Sequence, residues 1–243
     1  MRYLVLSDIH SNIEALEASI QKARDVGYDK ALCCGDLVGY GPSPAEVMDA
    51  LDELKTTSIR GNHDRVVSGL DEPMHFNAAA RKAVEWTREN LSDSYRRRLA
   101  ELQTGPFEIT EAARLVHGSA RDEDEYVVTQ SDAVVNLALT SPSITFFGHT
   151  HEPGVFTRNV RWTPSYEADG SARLRIPADK ILVNPGSVGQ PRDGDSRASF
   201  VIWDDVESLL EFHRAEYSVA TTQARMRDAQ LPDFLITRLM LGR

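Results

Sequence analysis

The sequence predicts a layered α/β fold on three observations. Short apolar runs rich in strand formers alternate with stretches of helical periodicity; several runs stop abruptly at clusters of Asp, His, Asn and Gly; and 243 residues at 41% hydrophobic content can bury one full-sized core. The first run, residues 2–7, ends at Asp8, His10, Ser11 and Asn12. Ile13, Leu16, Ile20 and Ala23 recur at helical spacing up to Gly27, which suits a helix stop, and residues 30–34 form the next strand of a β-α-β unit. A helix over 44–54, a strand over 57–59 and the cluster Gly61, Asn62, His63, Asp64 repeat the pattern. From Arg65 the chain reads as loop and then helix. Ala80, Val84, Trp86 and Leu91 are its apolar positions and Ser92 caps a further short helix, so residues 75–102 are expected to form a helical lid. Extended runs over 107–110 and 113–116 lead to His117 and Gly118, a helix follows over 132–139, and a strand over 144–147 ends at Gly148, His149, Thr150 and His151. Residues 155–217 read as strand and turn, and helical spacing returns over about 219–241. With no repeat, low-complexity tract or linker, residues 1–243 read as one domain.

Composition narrows the function. A net charge of −10 argues against the basic footprint of a nucleic-acid-binding surface. It leaves small anionic substrates open, because a bound cation inverts the local field. The amino terminus MRYLVLSDIHSN turns polar within a few residues, and no apolar run reaches spanning length, so no membrane association and a cytoplasmic location are expected. The only cysteines, Cys33 and Cys34, are adjacent in an apolar stretch and read as buried thiols.

The polar clusters carry the chemistry. In layered α/β folds sites form outside the carboxyl ends of strands, so clusters far apart in sequence converge. Asp8, His10, Asp36, Asn62, His117, His149 and His151 offer only nitrogen and oxygen. Imidazole mixed with carboxylate and amide oxygen suits manganese, iron, zinc, nickel or cobalt better than magnesium or calcium. Seven candidate ligands exceed one closed tetrahedral site and imply two divalent transition metals. Such a pair clamps the attacking and leaving oxygens of an in-line displacement at phosphorus.

The motifs DIH at 8–10, GD at 35–36, GNHD at 61–64, VHG at 116–118 and GHTH at 148–151, in this order, resemble the signature of the calcineurin-like metallophosphoesterase family. FNAAARKAVEWTRENL, RDEDEY and NPGSVGQPRDGD resemble the small stand-alone prokaryotic members. The resemblance implies a four-layer α/β/β/α sandwich of two mixed sheets, with the first strands as an α/β unit, the strands of 155–217 in the second sheet and the lid over one side of the site. It implies that Asp8, His10 and His151 hold one metal and Asn62, His117 and His149 the other, with Asp36 bridging and manganese favoured. The implied reaction is hydrolysis of a small phosphorylated substrate, a phosphomonoester or phosphodiester, by direct attack of a metal-bound hydroxide. His63 would serve as proton donor or stabiliser of developing charge, and Asp64 would orient it. Arg192, then Arg60 and Asn12, are the candidates for contacting phosphate. One departure stands out: after the bridging aspartate, Gly39 and Tyr40 replace the aspartate and arginine of the protein Ser/Thr phosphatases, which argues against a phosphoprotein substrate.

Two other functions compete. A nucleotide phosphoanhydride hydrolase, for instance for dinucleoside polyphosphates, would need base-stacking rings such as Tyr40, Phe76 and Tyr126; a catalytically silent scaffold would be expected to have lost ligands, and none is lost. Asp64 reads equally well as a helix cap, and the turn from Asn184 to Ser187 as structure or function. His75, His213, Asp193, Asp195, the acidic stretch from Asp122 to Glu125, Trp86 and Trp203 read as surface, turn or core residues.

Overall fold

The computed structural model describes residues 1–140, 143–177 and 179–243; residue 178, inside the segment read as strand and turn, lies outside the described residues. Period-two alternation sets the layers. In β1 (Arg2–Leu6), Leu4 and Leu6 bury against Leu16, Ile20 and Ala23 of α1 (Ile13–Val26), while Tyr3 and Val5 face a second sheet. Asn12 caps α1 by accepting from Ala15 N at 3.2 Å. Next come β2 (Lys30–Cys33), α2 (Pro44–Glu53) and β3 (Thr57–Ser58), the two strands parallel to β1. Helix α3 (Asn62–Ser68) begins inside the GNHD cluster and runs into the stretch after Arg65, where loop was expected. Asp64 starts it by accepting from Gly61 N at 3.0 Å.

The chain continues through α4 (Ala78–Asn90), α5 (Asp93–Glu101), β4 (Phe107–Thr110), β5 (Ala113–Leu115), α6 (Gln130–Leu139), β6 (Ile144–Phe146), β7 (Gly154–Phe156) and β8 (Arg161–Trp162). It ends with β9 (Ser171–Arg175), β10 (Ile181–Asn184), β11 (Ala198–Asp204), β12 (Leu209–Ala215), α7 (Val219–Asp228) and α8 (Asp233–Leu241). The sheets run β3-β2-β1-β11-β12-β9 and β4-β5-β6-β10-β7-β8, each mixing parallel and antiparallel pairs. With α1 and α2 outside the first sheet and α6 outside the second, the architecture is the four-layer α/β/β/α sandwich.

One expectation is corrected. Of the strands in 155–217, only β7, β8 and β10 join the second sheet; β9, β11 and β12 complete the first. Because β1 lies in the middle of its sheet, it needs a partner on each side, and β11 supplies the second in antiparallel register, Leu4 opposite Ile202. Six of the seven β11 residues are buried, as suits a strand covered on both faces, but burial does not say which sheet a strand joins. Trp203 lies between the sheets, stacked on Tyr3 at 4.7 Å, and Trp86, on α4, packs against the cluster that α4 forms with α7 and α8. Asp193 and Asp195 do more than turn the chain: both pair with Arg214, whose side chain is fully buried. No helix among the described residues is long and apolar enough to cross a membrane.

His213, on β12, is buried against Phe200 with neither ring nitrogen partnered. Burial lowers its pKa from 6.5 to about 4, against the pull of Glu211 and Asp169 and with the help of Lys22 and Arg173. The unfolded chain therefore binds the extra proton between pH 6.5 and 4, and stability present above pH 6.5 is lost as pH falls through that window. His213→Phe is expected to recover about 2 kcal/mol of the stability that the parent loses between pH 7 and 4.5. Urea unfolding at the two pH values measures it; equal acid losses in both proteins would refute it.

Candidate metal centre

The loops after β1, β2, β5 and β6, with the turn from β3 into α3, bring the polar clusters together. One group of mutually close ligand atoms is Asp8, His10, Asp36 and His151; the other is Asp36, His117 and His149, and every member of both is buried. Asn62 joins the second group, with Oδ1 3.1 Å from His117 Nε2. The carboxylate of Asp36 is shared: Oδ2 lies 3.5 Å from His10 Nε2 and 3.4 Å from His117 Nε2.

Backbone geometry serves this convergence. Asp8, His10, Asp36, His149 and His151 adopt φ of 52°, 49°, 54°, 65° and 61°, the left-handed region that costs a non-glycine residue roughly 1 kcal/mol or more. Flanking glycines allow the close approach: a Cβ at Gly61 would overlap the Asp36 carboxylate, and one at Gly148 would overlap Ser7 Oγ and the Asp8 carboxylate. The turn after β10 is a brace. Asn184 Nδ2 donates to Gly148 O at 3.0 Å and Thr150 Oγ1 at 2.9 Å, and Ser187 Oγ donates to Asp8 O at 2.7 Å.

The donor set fits cations. The Nδ1 of His10, His117 and His151 lie 3.1, 2.9 and 2.7 Å from the carbonyls of Val38, Cys34 and Gln190, which act as acceptors and fix the proton on Nδ1. The bare lone pairs of His10 and His151 Nε2 then point at one another across 3.2 Å, an arrangement that makes sense around a positive ion and not as a hydrogen bond. Electrostatics agree at three of the four imidazoles; at His117 burial is outweighed by the neighbouring Asp36, which raises the pKa to about 10, so an incoming ion must displace a proton there. Burial holds His10 and His151 well below 6.5 and His149 at about 3, keeping them neutral as ligands must be. Burial and the neighbouring Asp36 raise Asp8, which settles at about 6 against the pull of His117; Asp36 itself is held well below the carboxylate range because His117, His63 and His10 outweigh its burial.

A cavity of about 300 Å³ opens onto these groups, lined by Asp36, Asn62, His63, His149, His151 and Arg192 among others. The His63 ring packs on Tyr40 at 4.4 Å and Phe76 at 4.6 Å. Its Nδ1 is buried without a partner beside Gly39, where a Cβ would collide with it, so the Nε2 side is the one that can reach the cavity. Asp64 does not touch His63: its carboxylate accepts from Gly61 N and Val38 N, and burial with the nearby Asp36 charge raises its pKa to about 7. Asn12 is engaged as the cap of α1 and donates to Gly189 O at 2.9 Å, and Arg60 lies 3.7 Å from Glu123; neither lines the cavity. Of the expected lid, Phe76, Asn77 and Ala80 at the start of α4 border the cavity, and α5 does not.

Two features escaped the sequence reading. The stretch from Asp122 to Glu125 is no freely solvated loop: Glu123 and Asp124 pair with Arg65, and the Asp124 carbonyl lies 3.2 Å from His149 Nε2. Tyr126 covers the same imidazole, with ring centroids 3.9 Å apart. His75 is exposed, as expected, and stands at the cavity rim. The RDEDEY motif was the signal available, but acidic runs are more often solvated than structured.

A four-layer sandwich with paired ligand groups at its strand ends is the architecture of metallophosphoesterases. The chain belongs to the calcineurin-like phosphoesterase superfamily, whose domain matches residues 1–207. It is 33% identical over 245 residues to an uncharacterized protein of Methanocaldococcus jannaschii, covering 98% of this chain and 97% of that protein. A metallophosphoesterase from Sphaerobacter thermophilus superimposes with a TM-score of 0.88 at 37% identity, covering 100% of this chain and 99% of that one. A hypothetical protein from Pyrococcus horikoshii shares the fold at 21% identity and TM-score 0.81, covering 100% and 98%.

Proposed function

We propose that this chain hydrolyses a phosphomonoester or phosphodiester using two divalent transition metals, manganese favoured. The observation that carries the reading is Asp36, one carboxylate common to both ligand groups. Asp8, His10 and His151 would hold one ion and Asn62, His117 and His149 the other. The ions, when bound, supply a nucleophile near neutral pH and neutralise charge on the phosphoryl oxygens. Around them, His63 would face the leaving oxygen and Arg192 the phosphate, with Phe76 and Ala80 bordering the cavity on one side. An ester is favoured over a nucleotide anhydride because two of the three candidate stacking rings, Tyr40 and Phe76, are engaged on His63.

Removing and restoring the metal tests this. Protein stripped by chelation is expected to lose turnover of chromogenic mono- and diesters, and manganese, nickel or zinc to restore it better than magnesium, since four of the seven ligands are imidazoles. Absence of turnover with any metal, in protein that binds two ions per chain, would overturn the ester reading.

A further inference from the structure

His149 is oriented differently from the other three candidate imidazoles. A carbonyl only accepts, so the 3.2 Å contact between Asp124 O and His149 Nε2 places the proton on Nε2 and leaves Nδ1 as the bare nitrogen. In His10, His117 and His151 the carbonyls of Val38, Cys34 and Gln190 act on Nδ1 instead. Those three acceptors belong to fully buried residues, which the surrounding packing holds in place. Asp124 is an exposed loop residue and has no such support.

Arg65 supplies the hold. Within the loop, Ser119 N donates to Asp122 O at 2.9 Å and Asp124 N to Asp122 Oδ1 at 2.9 Å, bonds that shape the loop without tying it to the ligands. Among the described residues, the side chains from outside the loop that pair with Glu123 and Asp124 are Arg65 and, at 3.7 Å from Glu123, Arg60. Arg65 donates from Nη1 to Glu123 and from Nη2 to Asp124 Oδ2 at 2.7 Å, while its Nε is turned to Asp71 Oδ2 at 3.1 Å. Its side chain is only 17% exposed, so these pairs are better shielded from water than ordinary surface ion pairs. Arg65 also lies on α3, three residues after Asn62. One guanidinium therefore links the helix that begins at Asn62 with the loop that orients His149, and both are candidate ligands of the same ion.

We propose that Arg65 is a positioning residue for the second ligand group: by clamping Glu123 and Asp124 it keeps the Asp124 carbonyl on His149 Nε2, and so keeps Nδ1 free for the ion that Asn62 and His117 also hold. The proposal rests on the two-metal reading. Arg65 touches neither ion nor substrate in this role, and its effect is confined to one of the two ions.

Stepwise calorimetric titration of the metal-free protein with manganese tests it. Asn62→Ala and His151→Ala, each expected to lose a different one of the two ions, assign the two binding steps. Arg65→Gln is expected to weaken the step that Asn62→Ala removes by about 10–100-fold, the range for outer partners of metal ligands, and to leave the other step unchanged. Arg65→Lys can keep one of the two ion pairs and should recover part of that loss. Asp124→Asn keeps the carbonyl but gives up the charge, and should reproduce part of it. Arg88→Gln is the control for a general loosening of α3, because Arg88 donates to Val66 O at 2.8 Å and Asp71 O at 2.6 Å without reaching the loop; both ions are expected to bind it as they bind the parent. Parental affinity for both ions in Arg65→Gln, equal weakening of both, or a matching loss in Arg88→Gln overturns the proposal and leaves the two-metal reading standing. If Arg65→Gln does not fold, Arg65→Lys and Asp124→Asn decide, and unchanged affinities in both overturn it. Fewer than two ions bound by the parent overturns the two-metal reading, and the proposal with it.

Discussion

Asp36→Asn is expected to reduce the metal content of the dialysed protein below two ions per chain and turnover to under about 1% of the parent's, the largest effect of any isosteric change in the site. Asp36 does two jobs at once: Oδ1 accepts from His63 N at 2.9 Å, fixing the start of α3, while Oδ2 stands between His10 and His117. An asparagine of the same shape can turn its single oxygen toward the ions or toward that N–H, but not both, and its –NH₂ cannot bind a cation. Even outer partners of metal ligands are worth about 10–100-fold in affinity, so a shared ligand should exceed about 100-fold. Elemental analysis after dialysis, paired with hydrolysis of an aryl phosphate, decides the matter. Two retained ions with parental turnover would mean that Asp36 does not bridge.

The candidate ligands were legible because two independent constraints act on them. Metal chemistry restricts residue type to Asp, Asn and His, and the strand ends are marked by an abrupt change such as that from Leu6 to Asp8 or from Phe147 to His149. All seven stand together in the fold. The placement of β9, β11 and β12 was not legible, because alternation reports which faces of a strand are buried and not which neighbour it pairs with. Asp64 was ambiguous for a related reason. A carboxylate three residues after a glycine can orient a histidine or cap a helix, and only the bonds from Gly61 and Val38 separate the two.

His63→Ala should be nearly as damaging to turnover while sparing the metals, and that split is what gives the residue its role. No candidate ligand hydrogen-bonds to its side chain: the ring meets Asp36 only through the main-chain N–H, and otherwise packs on His10 at 4.8 Å, Tyr40 and Phe76. Metal content should therefore match the parent's, while kcat falls by roughly 10²–10⁴, the range for a positioned proton donor or charge stabiliser. The deficit should also depend on the leaving group. An aryl oxygen that departs readily needs little help, whereas an alkyl oxygen needs a proton or a hydrogen bond, so the loss should be several-fold greater for alkyl than for aryl esters. His63→Gln separates the two modes of help, because the amide donates a hydrogen bond but no proton: partial recovery assigns stabilisation of the leaving oxygen, and none assigns proton transfer. If His63→Ala instead loses metal in step with activity, the residue supports the ligand loop and has no part in the chemistry.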